Sequence, residues 1–255
     1  MSNTVKRYLT SGIMLFSLIA LPLQAQNAAD GFSVSWTLDA TTDANLFPFS
    51  GFGAQSVLAG MDFDGDGRRE ILFSMDETLA PGGPDPGLLG IYLYESNGND
   101  SYEYVWSFIT PEPGNSLPGM AYGDIDSDGL WEIYFGQPPS SGSNDNTWGT
   151  YIFEQGADGT FPSTATLLFQ YGMSYTDNFR PAGFVISDVD GDGVKELISI
   201  DRGGRRLSID QLATSSFDEF ASFTNEFLDT ENLGGGGIYN LDVVILMATD
   251  RMKSG

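Results

Sequence analysis

Asp124-Ile125-Asp126-Ser127-Asp128-Gly129-Leu130-Trp131-Glu132 is the stretch that decides how this chain folds. Two further copies align with it without gaps. The first is Asp62-Phe63-Asp64-Gly65-Asp66-Gly67-Arg68-Arg69-Glu70, and the other is Asp188-Val189-Asp190-Gly191-Asp192-Gly193-Val194-Lys195-Glu196. Their leading aspartates stand 62 and then 64 positions apart. Each copy is followed by apolar residues such as Ile71-Leu72-Phe73. A fixed period of this kind is the signature of a repeat architecture. A fourth lead-in, Ile245 to Asp250, repeats the apolar approach without the rest of the loop.

The residue types in the loop suit a hard cation. Calcium takes six to eight oxygen ligands, preferably carboxylates and carbonyls. Acidic side chains at alternate positions of a curling backbone converge on one centre. A glycine at the sixth position allows the sharp turn. The seventh residue (Arg68, Leu130 or Val194) offers its backbone carbonyl, and the glutamate at the ninth closes the site. The expectation is about three structural Ca²⁺ ions. An EF-hand is excluded, because its glutamate belongs at the twelfth position between helices. Phe73, Phe135 or Ser199 stands there, with strand-like flanks. Without a cation, four carboxylates per loop repel one another.

The intervals between loops read as strands and turns. Short strands are expected at Ile91–Glu95, Tyr151–Glu154 and Leu207–Asp210. Turns follow at Asn97-Gly98 and Asp158-Gly159. Closing strands are expected at Tyr104–Phe108, Thr166–Tyr171 and Phe217–Phe223. Trp106, Phe108, Phe153 and Phe169 read as packing between units. The fold class is therefore all-β. It is built of β-propeller blades of four antiparallel strands, with three complete units starting near 56, 118 and 182 and a partial fourth near 243. One more strand, Phe32–Thr37, precedes them. Propellers close with four to eight blades, so the reading expects a truncated piece of a longer propeller, the alternative being a small four-unit ring.

The loops resemble those of FG-GAP and VCBS repeats, the family of integrin-α-like calcium-binding propellers and many bacterial secreted proteins. Phe52-Gly53 and Phe135-Gly136-Gln137-Pro138 are similar to the elements that name it. The resemblance implies calcium in the loop joining the first two strands of each blade. Asp62, Asp64, Asp66 and Glu70 would hold one ion, Asp124, Asp126, Asp128 and Glu132 a second, and Asp188, Asp190, Asp192 and Glu196 a third. The blade count departs from the family, whose integrin type has seven.

Composition narrows the function. The 255 residues carry 35 acidic and 11 basic side chains, a net charge of −24. Such a chain repels nucleic acid and anionic membranes. It holds no Cys and no His, which removes disulfides, thiolate sites and His-dependent nucleophile systems. Lys6-Arg7, the apolar Gly12–Leu23 and Leu23-Gln24-Ala25 read as a signal peptide over 1–25, with no membrane insertion after cleavage. The protein is thus expected to be secreted, periplasmic or at the cell surface, and not an enzyme. It would act as a binding, adhesion or structural module whose partners are a polysaccharide or an extracellular protein. Candidate binding loops are 76–89 and 138–148, the second with an exposed Trp148. The alternative is the propeller portion of a carbohydrate-active enzyme such as a polysaccharide lyase. Arg202 to Arg206 reads as a salt-bridged turn, and Gly234–Gly237 as a flexible connector.

Overall fold

The computed structural model describes residues 36–38, 43–46, 54–76 and 88–229, apart from 99, 115, 117, 140–146, 174 and 203–205. The signal peptide, Phe52-Gly53, Gly234–Gly237, the fourth lead-in, most of Phe32–Thr37 and most of the two candidate binding loops lie outside these residues. The three sheets all fall within one unit, Leu38–Gly255.

Among the described residues, twelve strands form three antiparallel four-stranded sheets, each a meander in chain order. The first sheet holds β1 (Ser56–Met61), β2 (Glu70–Asp76), β3 (Leu89–Ser96) and β4 (Tyr102–Ile109). The second holds β5 (Met120–Gly123), β6 (Glu132–Gln137), β7 (Gly149–Glu154) and β8 (Leu167–Phe169). The third holds β9 (Pro181–Ser187), β10 (Glu196–Asp201), β11 (Leu207–Leu212) and β12 (Phe223–Leu228). This is the all-β, four-stranded organisation of β-propeller blades that the repeat demanded. Each acidic loop joins the first two strands of its sheet.

Side-chain alternation explains how the sheets stack. Successive residues of a strand point to opposite faces. In β6, Ile133 and Phe135 face the first sheet while Tyr134 faces the third. In β7, Tyr151 and Phe153 face the first and Ile152 the third. Both strands therefore read as nearly continuous apolar runs. The core between the first two sheets holds Leu72, Ile91, Leu93, Trp106, Ile133, Phe135 and Phe153. Phe153 has centroid distances of 5.0 Å to Trp106 and 4.8 Å to Phe108. Phe169 meets Phe223 of the third sheet at 4.7 Å. The four aromatics assigned to packing between units do that work.

The second and third sheets also meet through backbone. Gly119 N–H donates to Pro181 O at 3.0 Å, and Gly136 N–H donates to Gly119 O at 2.9 Å. A Cβ on Gly119 would lie 2.5 Å from the Ala182 carbonyl carbon, so only glycine lets the two chains come this close.

Three sequence expectations are corrected. The closing strand of the third unit is Phe223–Leu228, not Phe217–Phe223. Phe217 instead belongs to a turn that plugs the core at 2% exposure, while β12 presents polar Thr224, Asn225 and Glu226 to solvent. Hydrophobicity marked the plug and missed the strand. Thr166–Tyr171 shortens to a three-residue strand. Trp148 is buried, not exposed: its indole stacks at 6.4 Å on Tyr171, which packs on Phe179. The basic turn behaves as expected in part. Arg206 forms a buried ion pair with Asp201, and its guanidinium also donates to the carbonyls of Asp177 and Asn178.

Candidate metal centres

The three loops repeat one hydrogen-bond pattern. The sixth-position amide donates to the first aspartate: Gly67 to Asp62 at 3.3 Å, Gly129 to Asp124 at 3.3 Å, Gly193 to Asp188 at 3.0 Å. The fifth-position amide donates to the third-position aspartate in each loop. The seventh-position amides of Arg68, Leu130 and Val194 donate to Asp66, Asp128 and Asp192 at 2.8, 2.7 and 2.8 Å. The ninth-position glutamate reaches back to the second-position amide: Glu70 to Phe63, Glu132 to Ile125, Glu196 to Val189. These bonds turn the carboxylates inward. The backbone takes positive φ at both the fourth and sixth positions, including 63° at Ser127 and 92° at Gly129. Sequence reading identified the sixth position and missed the fourth, where a serine hides the pattern.

The loops differ in what they gather. Asp188, Asp190, Asp192 and Glu196 bring one oxygen each within 4.8 Å of one another. In the second loop Asp124, Asp126 and Glu132 do so, without Asp128. In the first, Asp62, Asp64 and Asp66 form one group, and Asp64 joins Glu70 and Glu95 in another. Among the described residues, Glu132 Oε1 and Glu196 Oε1 are fully buried and accept no hydrogen bond. A buried carboxylate oxygen without a partner costs free energy comparable to a lost charged hydrogen bond. Burial pushes the Glu132 carboxyl up to about 8, with Asp126 and Asp124 adding repulsion. Burial likewise raises Glu70 to about 7 and lifts Glu196. A divalent cation at these centres would remove both penalties.

The sheet register supplies a residue that spacing did not reveal. Glu95 on β3, Glu154 on β7 and Gln211 on β11 stand directly across from Glu70, Glu132 and Glu196. Each faces the loop of its own sheet, with different consequences. Glu95 is bridged to Asp66 by the Arg68 guanidinium, at 2.6 and 2.7 Å. Gln211 Nε2 donates to Asp192 at 2.8 Å. Glu154 has its carboxyl lifted to about 7 by burial and then by Asp128 and Asp126.

A family model described as an FG-GAP-like repeat matches residues 62–135. That segment is similar to such a repeat. The match runs from the leading aspartate of the first loop through the second loop to Phe135 on β6. The third loop lies beyond it and joins the series through the shared hydrogen-bond pattern. No curated protein and no solved structure matches the chain.

The first two loops are also covered by the following unit. Phe63 of the first loop packs against Phe161 at 5.3 Å, and its carbonyl accepts from Gln155 Nε2 at 2.8 Å. In the second loop Ile125 joins the cluster that holds Phe217, whose N–H donates to Asp126 at 2.8 Å. Lys195 donates its ammonium to the Asp124 carbonyl.

Proposed function

We propose that this protein is a secreted, calcium-stabilised repeat module that acts in binding, adhesion or structure. The observation that carries the reading is the pair of buried, unpartnered oxygens on Glu132 and Glu196, two glutamates that each group with aspartates of their own loop within 4.8 Å. Oxygen-only donor sets of this size suit calcium better than magnesium, which keeps more water and demands tighter geometry. Structural ions would do here what disulfides do in other secreted proteins, in a chain without cysteine. The stacked blades would then present their connecting loops to a polysaccharide or an extracellular protein.

The test is a thermal melt of the purified chain in chelator and across added calcium, with magnesium as control. Ions that bind only the folded state raise the midpoint with concentration, each site adding about 2.7 kcal/mol of stability at a hundredfold excess over Kd. A midpoint that calcium leaves unmoved would refute the reading.

A further inference from the structure

The three loops are built on one plan, yet among the described residues only the first pairs its carboxylates with cations of its own. Arg68 donates Nε to Asp66 at 2.7 Å and Nη1 to Glu95 and Glu103 at 2.6 and 2.9 Å. Arg69 adds a looser contact, Nη1 to Asp62 at 3.8 Å. The corresponding residues of the second loop are Leu130 and Trp131, and those of the third are Val194 and Lys195. The Lys195 ammonium is placed on a backbone carbonyl of the second loop, not on a carboxylate. The unpartnered buried oxygens follow the same division: they occur on Glu132 and Glu196, and Glu70 is not among them.

We propose that the first loop is neutralised by Arg68 and that calcium is held at the second and third loops alone at the concentrations that fill those two. The inference rests on the calcium reading above and narrows it from three ions to two. Arg68 occupies the seventh position, where the sequence reading expects only a backbone carbonyl to serve the ion and the side chain differs in every copy. Its guanidinium spans the fifth-position aspartate and the glutamate across from Glu70, so a dication entering there must displace it or sit beside it. At the same register, the third loop has the neutral Gln211 on Asp192. The second has the carboxylate of Glu154 at that register, directly across from Glu132. Arg68 is thus a specificity-determining residue, setting which copies of a repeated loop take an ion. A unit positive charge within about 5 Å of a dication, even in a solvent-like dielectric, weakens its binding roughly tenfold.

Calcium titration of the chain by calorimetry, with equilibrium dialysis for stoichiometry, separates the outcomes. Wild type is expected to bind two ions, and Glu132→Gln and Glu196→Gln one each. Arg68→Leu places in the first loop the residue the second loop has and keeps the carbonyl; it is expected to bind a third ion at least tenfold tighter than wild type does. Arg68 is 42% exposed, so the variant is expected to fold, and its calcium-free melt checks this. Three wild-type ions of similar affinity would overturn the proposal, as would an Arg68→Leu titration indistinguishable from wild type. Absence of any binding would overturn the calcium reading itself, and this inference with it.

Discussion

Replacing Glu132 with glutamine probes the calcium reading with effects of different size in two conditions. Glu132 Oε2 accepts from the Ile125 N–H at 2.8 Å and from the Tyr134 hydroxyl at 3.2 Å, while Oε1 is buried without a donor. Its carboxyl is pushed from 4.5 to about 8, chiefly by burial. A folded value above the unfolded one means the folded state binds the extra proton. The associated stability is full below about pH 4.5 and is lost as pH climbs to about 8. At pH 7 the loss is roughly 3 kcal/mol, from 1.36 kcal/mol per pH unit over that interval. Glutamine keeps the acceptor for Ile125 and Tyr134, carries no charge, and presents an N–H to the neighbouring aspartates. In chelator at pH 7, Glu132→Gln should therefore be more stable than wild type by roughly 3 kcal/mol. For a chain of this size that is a midpoint rise of about 6–12 °C. In millimolar calcium the advantage should shrink by about 1.4–2.7 kcal/mol, since wild type gains an ion the variant cannot hold well. Denaturant melts at pH 5, 7 and 8.5, with and without calcium, provide the readout. A variant less stable than wild type in chelator would refute the claim that Oε1 is a costly orphan. An equal calcium response in both proteins would refute the second loop as an ion site.

Other perturbations address the frame. Phe153→Ala empties the junction between the first two sheets and should cost about 3–5 kcal/mol in a denaturant melt. Asp201→Ala strands the buried Arg206 guanidinium and should cost a similar 3–5 kcal/mol, largely independent of calcium. Gly129→Ala meets no neighbouring atom but must hold φ at 92°, so calcium-free melts should show a loss of about 1–2 kcal/mol from backbone strain alone. In chelator, wild-type stability should fall as pH rises from about 4.5 to 8 while Glu132 ionises, and saturating calcium should flatten that slope.

The loops were legible because their chemistry is local: alternate aspartates, a glycine and a glutamate fall within nine residues and keep their spacing in all three copies. The strands of the middle sheet were legible as apolar runs, since both faces of β6 and β7 are covered. Glu95, Glu154 and Gln211 were not, because connections of unequal length separate them from their loop glutamates, and only strand register aligns them. Trp148 misled because glycine, serine and asparagine nearby mark a loop, whereas an aromatic there fills space beneath Tyr171. Phe217 misled for the same reason as β12: on an outer strand, the residue that packs best need not belong to the strand. The role of Arg68 was hidden because its position was valued for its carbonyl, and its side chain acts on partners 27 and 35 positions away.

Because the turn of one unit closes over the loop of the unit before it, the boundaries of sheet and candidate metal centre are out of phase. A fragment trimmed after Asn178 would retain every carboxylate of the second loop. It would lose the Phe217 amide on Asp126, the apolar cover of Ile125 and the Lys195 cap on Asp124. Such a piece would look intact by sequence and be deficient in chemistry. The smallest segment that could be transplanted with its second site whole runs from that loop through its cover, Asp124 to Ala221. Recombination that cuts at sheet edges would part a loop from its cover even while preserving every blade.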